Sequence, residues 1–120
     1  EASGTSGMKP PMHLGVNCSI LDGWWPEGFD GKNGFAIVGT PSRPSAAARD
    51  QADADALYTV LEDKLIPEFF SRNRQGLPTR WMKRALRSAA TVPGFFSTHR
   101  MVGDYVQQAY LPAHRRKPAK

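Results

Sequence analysis

The sequence has 120 residues, 40% of them hydrophobic, which suits one modest globular domain. Its single cysteine, Cys18, excludes an internal disulfide framework and a cysteine-built metal cluster, and it fits a reducing, intracellular setting. The formal charge is +5, but Arg115, Arg116, Lys117 and Lys120 of the tail HRRKPAK account for four of those charges and leave +1 for the rest.

The chain opens with EASGTSGMK, a run of small residues between Glu1 and Lys9. Glycines and short hydroxyl residues let backbone N–H groups approach a ligand closely. Such a run at a strand-to-helix turn suits an anion or a sugar, with Lys9 at its rim. A cradle of this kind needs a strand leading into it, and none precedes Glu1. The sequence is therefore expected to be a fragment whose upstream half lies elsewhere. KPPMHLG then leaves room for no more than a short helical turn, because Pro10 lacks an N–H and biases Lys9 toward extended backbone.

VNCSILDG reads as a strand ending at the Asp22-Gly23 turn, with Cys18 buried in it. Asp22 is expected to fix that turn rather than to serve as an acid or base. GWWPEGFDGKNG reads as a loop. Trp24 and Trp25, beside a strand end, are expected to be packing residues rather than a sugar-stacking platform. Phe35 to Val38 is a short, uniformly apolar run, as in a strand covered on both faces.

TPSRPSAAARDQ reads as an exposed connection, after which Asp50 or Asp53 caps a helix carrying Leu57, Leu61 and Leu65, with Pro67 kinking or restarting it. RNRQGLP is a turn. A second helix follows Pro78, with Trp81, Met82, Ala85, Leu86 and Ala89 as its apolar face. A third starts at a Ser97 cap and runs through Met101, Val102, Tyr105, Val106 and Ala109. Asp50 to Glu68 is acidic, whereas Phe69 to Gly103 carries seven basic residues and no acidic one. These stretches are expected to face each other or to solvate opposite faces.

No apolar run approaches the ~20 residues that span a bilayer, and no secretory signal is expected within these residues. No interleaved aromatic pattern of a base-stacking platform accompanies the basic residues, so neither a membrane nor a nucleic acid is expected as a partner. His13, His99 and His114 have no metal-ligand spacing, and no metal site is expected.

Three blocks, EASGTSGMK, LDGWWPEGFDGKNGFAI and MVGDYVQQAYLPA, occur in that order. Together they resemble the C-terminal part of the α-glucan phosphorylases, the glycogen, starch and maltodextrin phosphorylase family, and its bacterial branch in particular. The resemblance covers nearly the whole chain up to Ala113. It implies an α/β fold: the C-terminal portion of a Rossmann-like domain from a two-domain (GT-B type) glycosyltransferase, here two short strands followed by about three helices. Residues 1–113 would form part of a cofactor- and sugar-binding domain, and residues 114–120 a disordered basic tail.

The family carries pyridoxal 5′-phosphate on a lysine, and the motif places that lysine at Lys9. The resemblance further implies that backbone donors around Thr5 and Ser6 hold the cofactor phosphate. Glu1 would accept hydrogen bonds from glucosyl hydroxyls, and the amides of Ser3 and Gly4 would serve the 3- and 4-position oxygens. The implied reaction of the parent protein is reversible phosphorolysis of α-1,4-glucans, with orthophosphate as cosubstrate and α-glucose 1-phosphate as product. A cytoplasmic, homo-oligomeric, allosteric parent completes the expectation. The missing N-terminal portion would be a partner, and the isolated piece would be inactive. His13-Leu14 departs from the family's Asn-Gly pair, with Leu14 in the glycine's place. Two other readings stay open: a segment of a pyridoxal-independent nucleotide-sugar glycosyltransferase, and a non-catalytic helical interaction module with a basic tail.

Overall fold

The computed structural model describes residues 4–39 and 45–115. Two short 3-10 turns, Thr5–Met8 and Pro10–His13, lead into strand β1 (Asn17–Ile20). A short helix α1 (Trp25–Gly28) precedes strand β2 (Gly34–Ile37). The strands pair in parallel, with Asn17 opposite Gly34 and Ile20 opposite Ile37. A parallel pair cannot be closed by a tight hairpin, so residues 21–33 make the crossover, with α1 inside it. That crossover was expected to be all loop. Pro26 in the first turn of α1 pre-sets the helical φ, and an amide that Pro lacks would have gone unpaired there anyway. At Gly34 a Cβ would lie 2.5 Å from the Trp25 ring and 2.8 Å from the Asn17 carbonyl oxygen. Only glycine lets Trp25 pass so close to the sheet.

The helices follow in three runs. The first joins α2 (Ala46–Val60), a π-helical segment Leu61–Leu65 and α3 (Ile66–Phe70). The expected cap at Asp50 or Asp53 is corrected. Ser45 caps α2, its Oγ accepting from the Ala48 amide at 3.2 Å, and both aspartates lie inside the helix. Ala46, Ala47 and Ala48 are strong helix formers, so the helix starts as soon as a cap is available, within the stretch expected to be a connection. The restart at Pro67 is present, with the π segment taking up the register change before it. Val60, rather than the leucines four apart, is the buried residue of α2.

Helix α4 (Thr79–Phe95) buries Ala85, Ser88 and Val92. This corrects the expected face, because Met82 and Leu86 are exposed. Polar anchoring decides the rotation. The Ser88 hydroxyl donates to the Gly15 carbonyl at 2.9 Å, and Arg84, one turn earlier, is drawn inward to Glu68. Ser97 caps α5 (Thr98–Tyr105) as expected, accepting from the Arg100 amide. A π-helical segment, Val106–Tyr110, and α6 (Leu111–Arg115) continue the run. Of the expected tail, residues 116–120 lie outside the described residues.

The core forms around Trp24, Trp25 and Val92, with Met8, Phe29 and Phe96 packed against it. Trp24 meets Trp25 and Phe96 edge-on, each at 5.0 Å between centroids. The expectation that both tryptophans pack rather than stack on sugar fits this arrangement. Cys18 is only half-buried in β1, and burial raises its thiol pKa, which keeps the thiol protonated. The radius of gyration is 19.5 Å, against about 14 Å for a compact domain of this length. Along the last helical run Val102, Tyr105 and Tyr110 are all exposed. Among the described residues no helix is long and apolar enough to cross a membrane.

Candidate cofactor turn

Gly4 begins the first turn in the left-handed region, with φ at +68°, where residues bearing a Cβ are strained. The amide of Gly7 donates to the Gly4 carbonyl at 3.1 Å, and the amide of Lys9 to the Ser6 carbonyl at 3.3 Å. Four of the expected site residues, Gly4, Thr5, Ser6 and Lys9, thus come together on one turn, and all four are exposed. The other two, Glu1 and Ser3, lie outside the described residues.

The turn is held from behind by two residues the sequence reading had not assigned to it. Asn17 Nδ2 donates to the Gly7 carbonyl at 2.7 Å, and Trp24 Nε1 donates to the Gly4 carbonyl at 2.9 Å. The Trp24 ring lies so close that a Cβ at Gly7 would sit 3.0 Å from its Cζ2. The signal for Asn17 was present as a lone amide opening the apolar run VNCSI. Trp24 carried no such mark, because its partner is a main-chain oxygen far away in sequence.

A cavity of about 160 Å³ lies behind the turn, lined by Gly4, Gly7, Ser19, Asp22, Trp24 and Trp25 among others. Trp25 Nε1 is buried without a hydrogen-bond partner among the described residues. The cavity its ring lines has room for a bridging water. Asp22 fixes the corner through its backbone, its carbonyl accepting from the Trp25 amide at 3.0 Å.

Past the turn, Leu14 takes φ of +60°, the one non-glycine residue with positive φ among the described residues. This is the position where the resemblance puts a glycine. The backbone keeps a glycine-type conformation although the side chain has changed.

The donor set fits a phosphorylated aldehyde such as pyridoxal 5′-phosphate. It offers one primary amine, two hydroxyls and the leading amides of a turn, which are the groups that bind an aldehyde carbon and an anion. Among the described residues no carboxylate pairs with the Lys9 amine, and no group of acidic, histidine or cysteine side chains could hold a metal ion.

Two further polar clusters anchor the crossover and α4. Asn33 is fully buried; its Nδ2 donates to the Gly28 carbonyl at 2.6 Å and to Thr91 Oγ1 at 3.0 Å. Beside it, burial pushes the Asp30 carboxyl up, but hydrogen bonds from Arg87 and from the Lys32 and Asn33 amides outweigh burial and bring it down. Glu68, 5% exposed, receives Arg84 Nε at 2.7 Å and Nη2 at 2.8 Å, with Arg80 at 3.9 Å. Arg84 also donates to the Gly34 carbonyl at 2.8 Å and covers the Phe35 ring. The acidic and basic stretches therefore meet at Glu68, as one of the two expected arrangements requires.

Comparison with known proteins gives several similar relatives, three of which follow. The chain is 41% identical over 113 residues to a glycogen phosphorylase of Mycobacterium tuberculosis, covering 94% of this chain and 13% of that protein. It is 39% identical over 110 residues to a glycogen phosphorylase of Aquifex aeolicus, covering 92% of this chain and 16% of that protein. It is 42% identical over 113 residues to a maltodextrin phosphorylase of Thermococcus litoralis, with 94% and 13% covered. The chain thus spans 13–16% of the length of these relatives. No family profile and no solved structure matches it.

Proposed function

The chain is homologous to one segment of the glycogen and maltodextrin phosphorylases, and on that premise we propose that it is the cofactor-turn segment of an α-glucan phosphorylase. The parent protein would be a two-domain glycosyltransferase with Rossmann-like domains, for which the parallel β1–β2 pair is the appropriate kind of core. It would cleave α-1,4-glucan ends reversibly with orthophosphate to give α-glucose 1-phosphate. One observation carries the reading most directly: Lys9 and the leading residues of its turn are exposed together, while neutral donors hold the turn from behind.

In this reading Lys9 tethers pyridoxal 5′-phosphate through its amine, and the Thr5 and Ser6 amides with the Thr5 hydroxyl hold its phosphate. The bound cofactor supplies a phosphate that acts beside the substrate phosphate as proton donor and charge partner. Two phosphates in contact repel, so donors fixed in place beforehand spare the site the cost of organising them during the reaction. Glu1 accepts hydrogen bonds from glucosyl hydroxyls, and the Ser3 and Gly4 amides donate to the sugar. These contacts hold the hexose in one orientation, which lowers the entropic part of the barrier.

The test is formation of glucose 1-phosphate from an α-1,4-glucan and orthophosphate by the full-length protein. Wild type forms it, Lys9→Ala falls to background, and the 120-residue chain alone forms none. Full activity of Lys9→Ala, or a wild type without phosphorolysis, overturns the reading.

A further inference from the structure

We propose that Trp24, seconded by Asn17, is the positioning residue that aims the amide donors of the Lys9 turn at the cofactor phosphate; this rests on the reading of Lys9 given above. The argument starts from the peptide unit. In a planar trans peptide the C=O and the following N–H point in opposite directions. The carbonyl of Gly4 and the amide of Thr5 belong to one such unit. Because that carbonyl accepts from Trp24 Nε1 at 2.9 Å, the Thr5 N–H is turned away from the indole. Asn17 acts at the other end of the turn. The Gly7 carbonyl accepts from Asn17 Nδ2 at 2.7 Å, which ties the far end of the 3-10 turn so that the turn cannot rotate as a whole and carry the Thr5 and Ser6 amides with it.

Glycine makes this tie necessary. Gly4 populates both signs of φ almost equally when unrestrained, so its peptide units can rotate unless something outside the turn holds them. The hydrogen bond from Gly7 to the Gly4 carbonyl is internal to the turn and moves with it. Trp24 is external and fixed. It is buried, it meets Trp25 and Phe96 edge-on, and its ring reaches over to Gly28. Packing alone calls for an aromatic ring at this position; the indole N–H is what the turn adds to the requirement.

Trp24→Phe keeps an aromatic ring and removes the donor. In the full-length protein, equilibrium binding of pyridoxal 5′-phosphate and of pyridoxal, which lacks the phosphate, is measured through cofactor absorbance. Loss of one aimed donor to a charged phosphate weakens the phosphorylated ligand roughly tenfold or more. Pyridoxal binding should stay as in wild type, so the ratio of the two affinities falls. Asn17→Ala should move the ratio the same way by a smaller factor. Equal weakening of both ligands, as a packing role alone would give, or an unchanged ratio, overturns the proposal. Should Trp24→Phe fail to fold by circular dichroism, the Asn17→Ala ratio decides alone. A wild type that takes up neither ligand overturns the reading of Lys9, and this proposal with it. A wild type that binds both, beside variants with an unchanged ratio, overturns the proposal alone.

Discussion

The Gly4–Lys9 turn and the Glu68–Arg84 clamp are both fixed by side chains from distant elements, but by opposite means. At the turn, neutral donors from Trp24 and Asn17 occupy two carbonyls, and the Lys9 charge is left without an acidic partner among the described residues. At the clamp, Glu68 and Arg84 satisfy each other, and Arg84 gives its remaining reach to the Gly34 carbonyl. The cavity beside the clamp, about 410 Å³, is larger than the one behind the turn. Its lining sets Lys64, Arg80 and Arg84 beside Asp63 and Glu68, so most of its charge is met from within the chain. A region that spends its charges internally holds the fold, whereas one that keeps its charge outward can hold a ligand.

The sharpest way to break this contrast is at the clamp. Arg84→Ala leaves the buried Glu68 carboxylate with only Arg80 at 3.9 Å, and removing one partner of a buried pair costs about 3–5 kcal/mol. Thermal or urea unfolding should show that loss. An effect below about 1 kcal/mol, the range of exposed pairs, would reduce the clamp to a surface contact. Acid should act on the same pair. Hydrogen bonding from Arg84 holds the Glu68 carboxyl below its usual range. With a folded pKa below the unfolded one, the pair stabilises the fold fully above the ordinary glutamate range. That contribution is lost as pH falls through the depressed value. The acid-dependent loss should be smaller in Arg84→Ala, where only Arg80 still faces Glu68, and what remains should come from Asp30 and its Arg87 partner.

The turn region offers the smaller test, with the opposite sign. Leu14 occupies a left-handed conformation that costs a residue bearing a Cβ roughly 1–2 kcal/mol, while glycine adopts it freely. Its side chain is exposed, so little packing is lost on its removal. Leu14→Gly should therefore stabilise the protein by about 1 kcal/mol, read from the same unfolding curves. Destabilisation would mean that the Leu14 side chain contributes more than its conformation costs.

Much of the local structure was legible in the sequence. The Ser97 cap, the short turn after Pro10, both strands to within a few residues and the restart at Pro67 follow from signals carried by neighbouring residues. The misplaced features depend on partners far along the chain. Helix α4 turns Ser88 inward because the Gly15 carbonyl waits there, and no periodicity of apolar residues encodes that. Ser45 caps α2 from within TPSRPSAAARDQ, a stretch that reads as an exposed connection. At the candidate site, Gly4, Thr5, Ser6 and Lys9 of the motif lie on one turn. The motif said nothing of what holds them, since Asn17 and Trp24 reach the turn from 10 and 20 residues further along the chain.

Borohydride reduction of the full-length protein, followed by peptide mapping, tests the central claim most directly. The account predicts a pyridoxyl adduct on the peptide containing Lys9, and its disappearance in Lys9→Ala. An adduct-free Lys9 in protein that forms glucose 1-phosphate, or an adduct on another lysine, would contradict it.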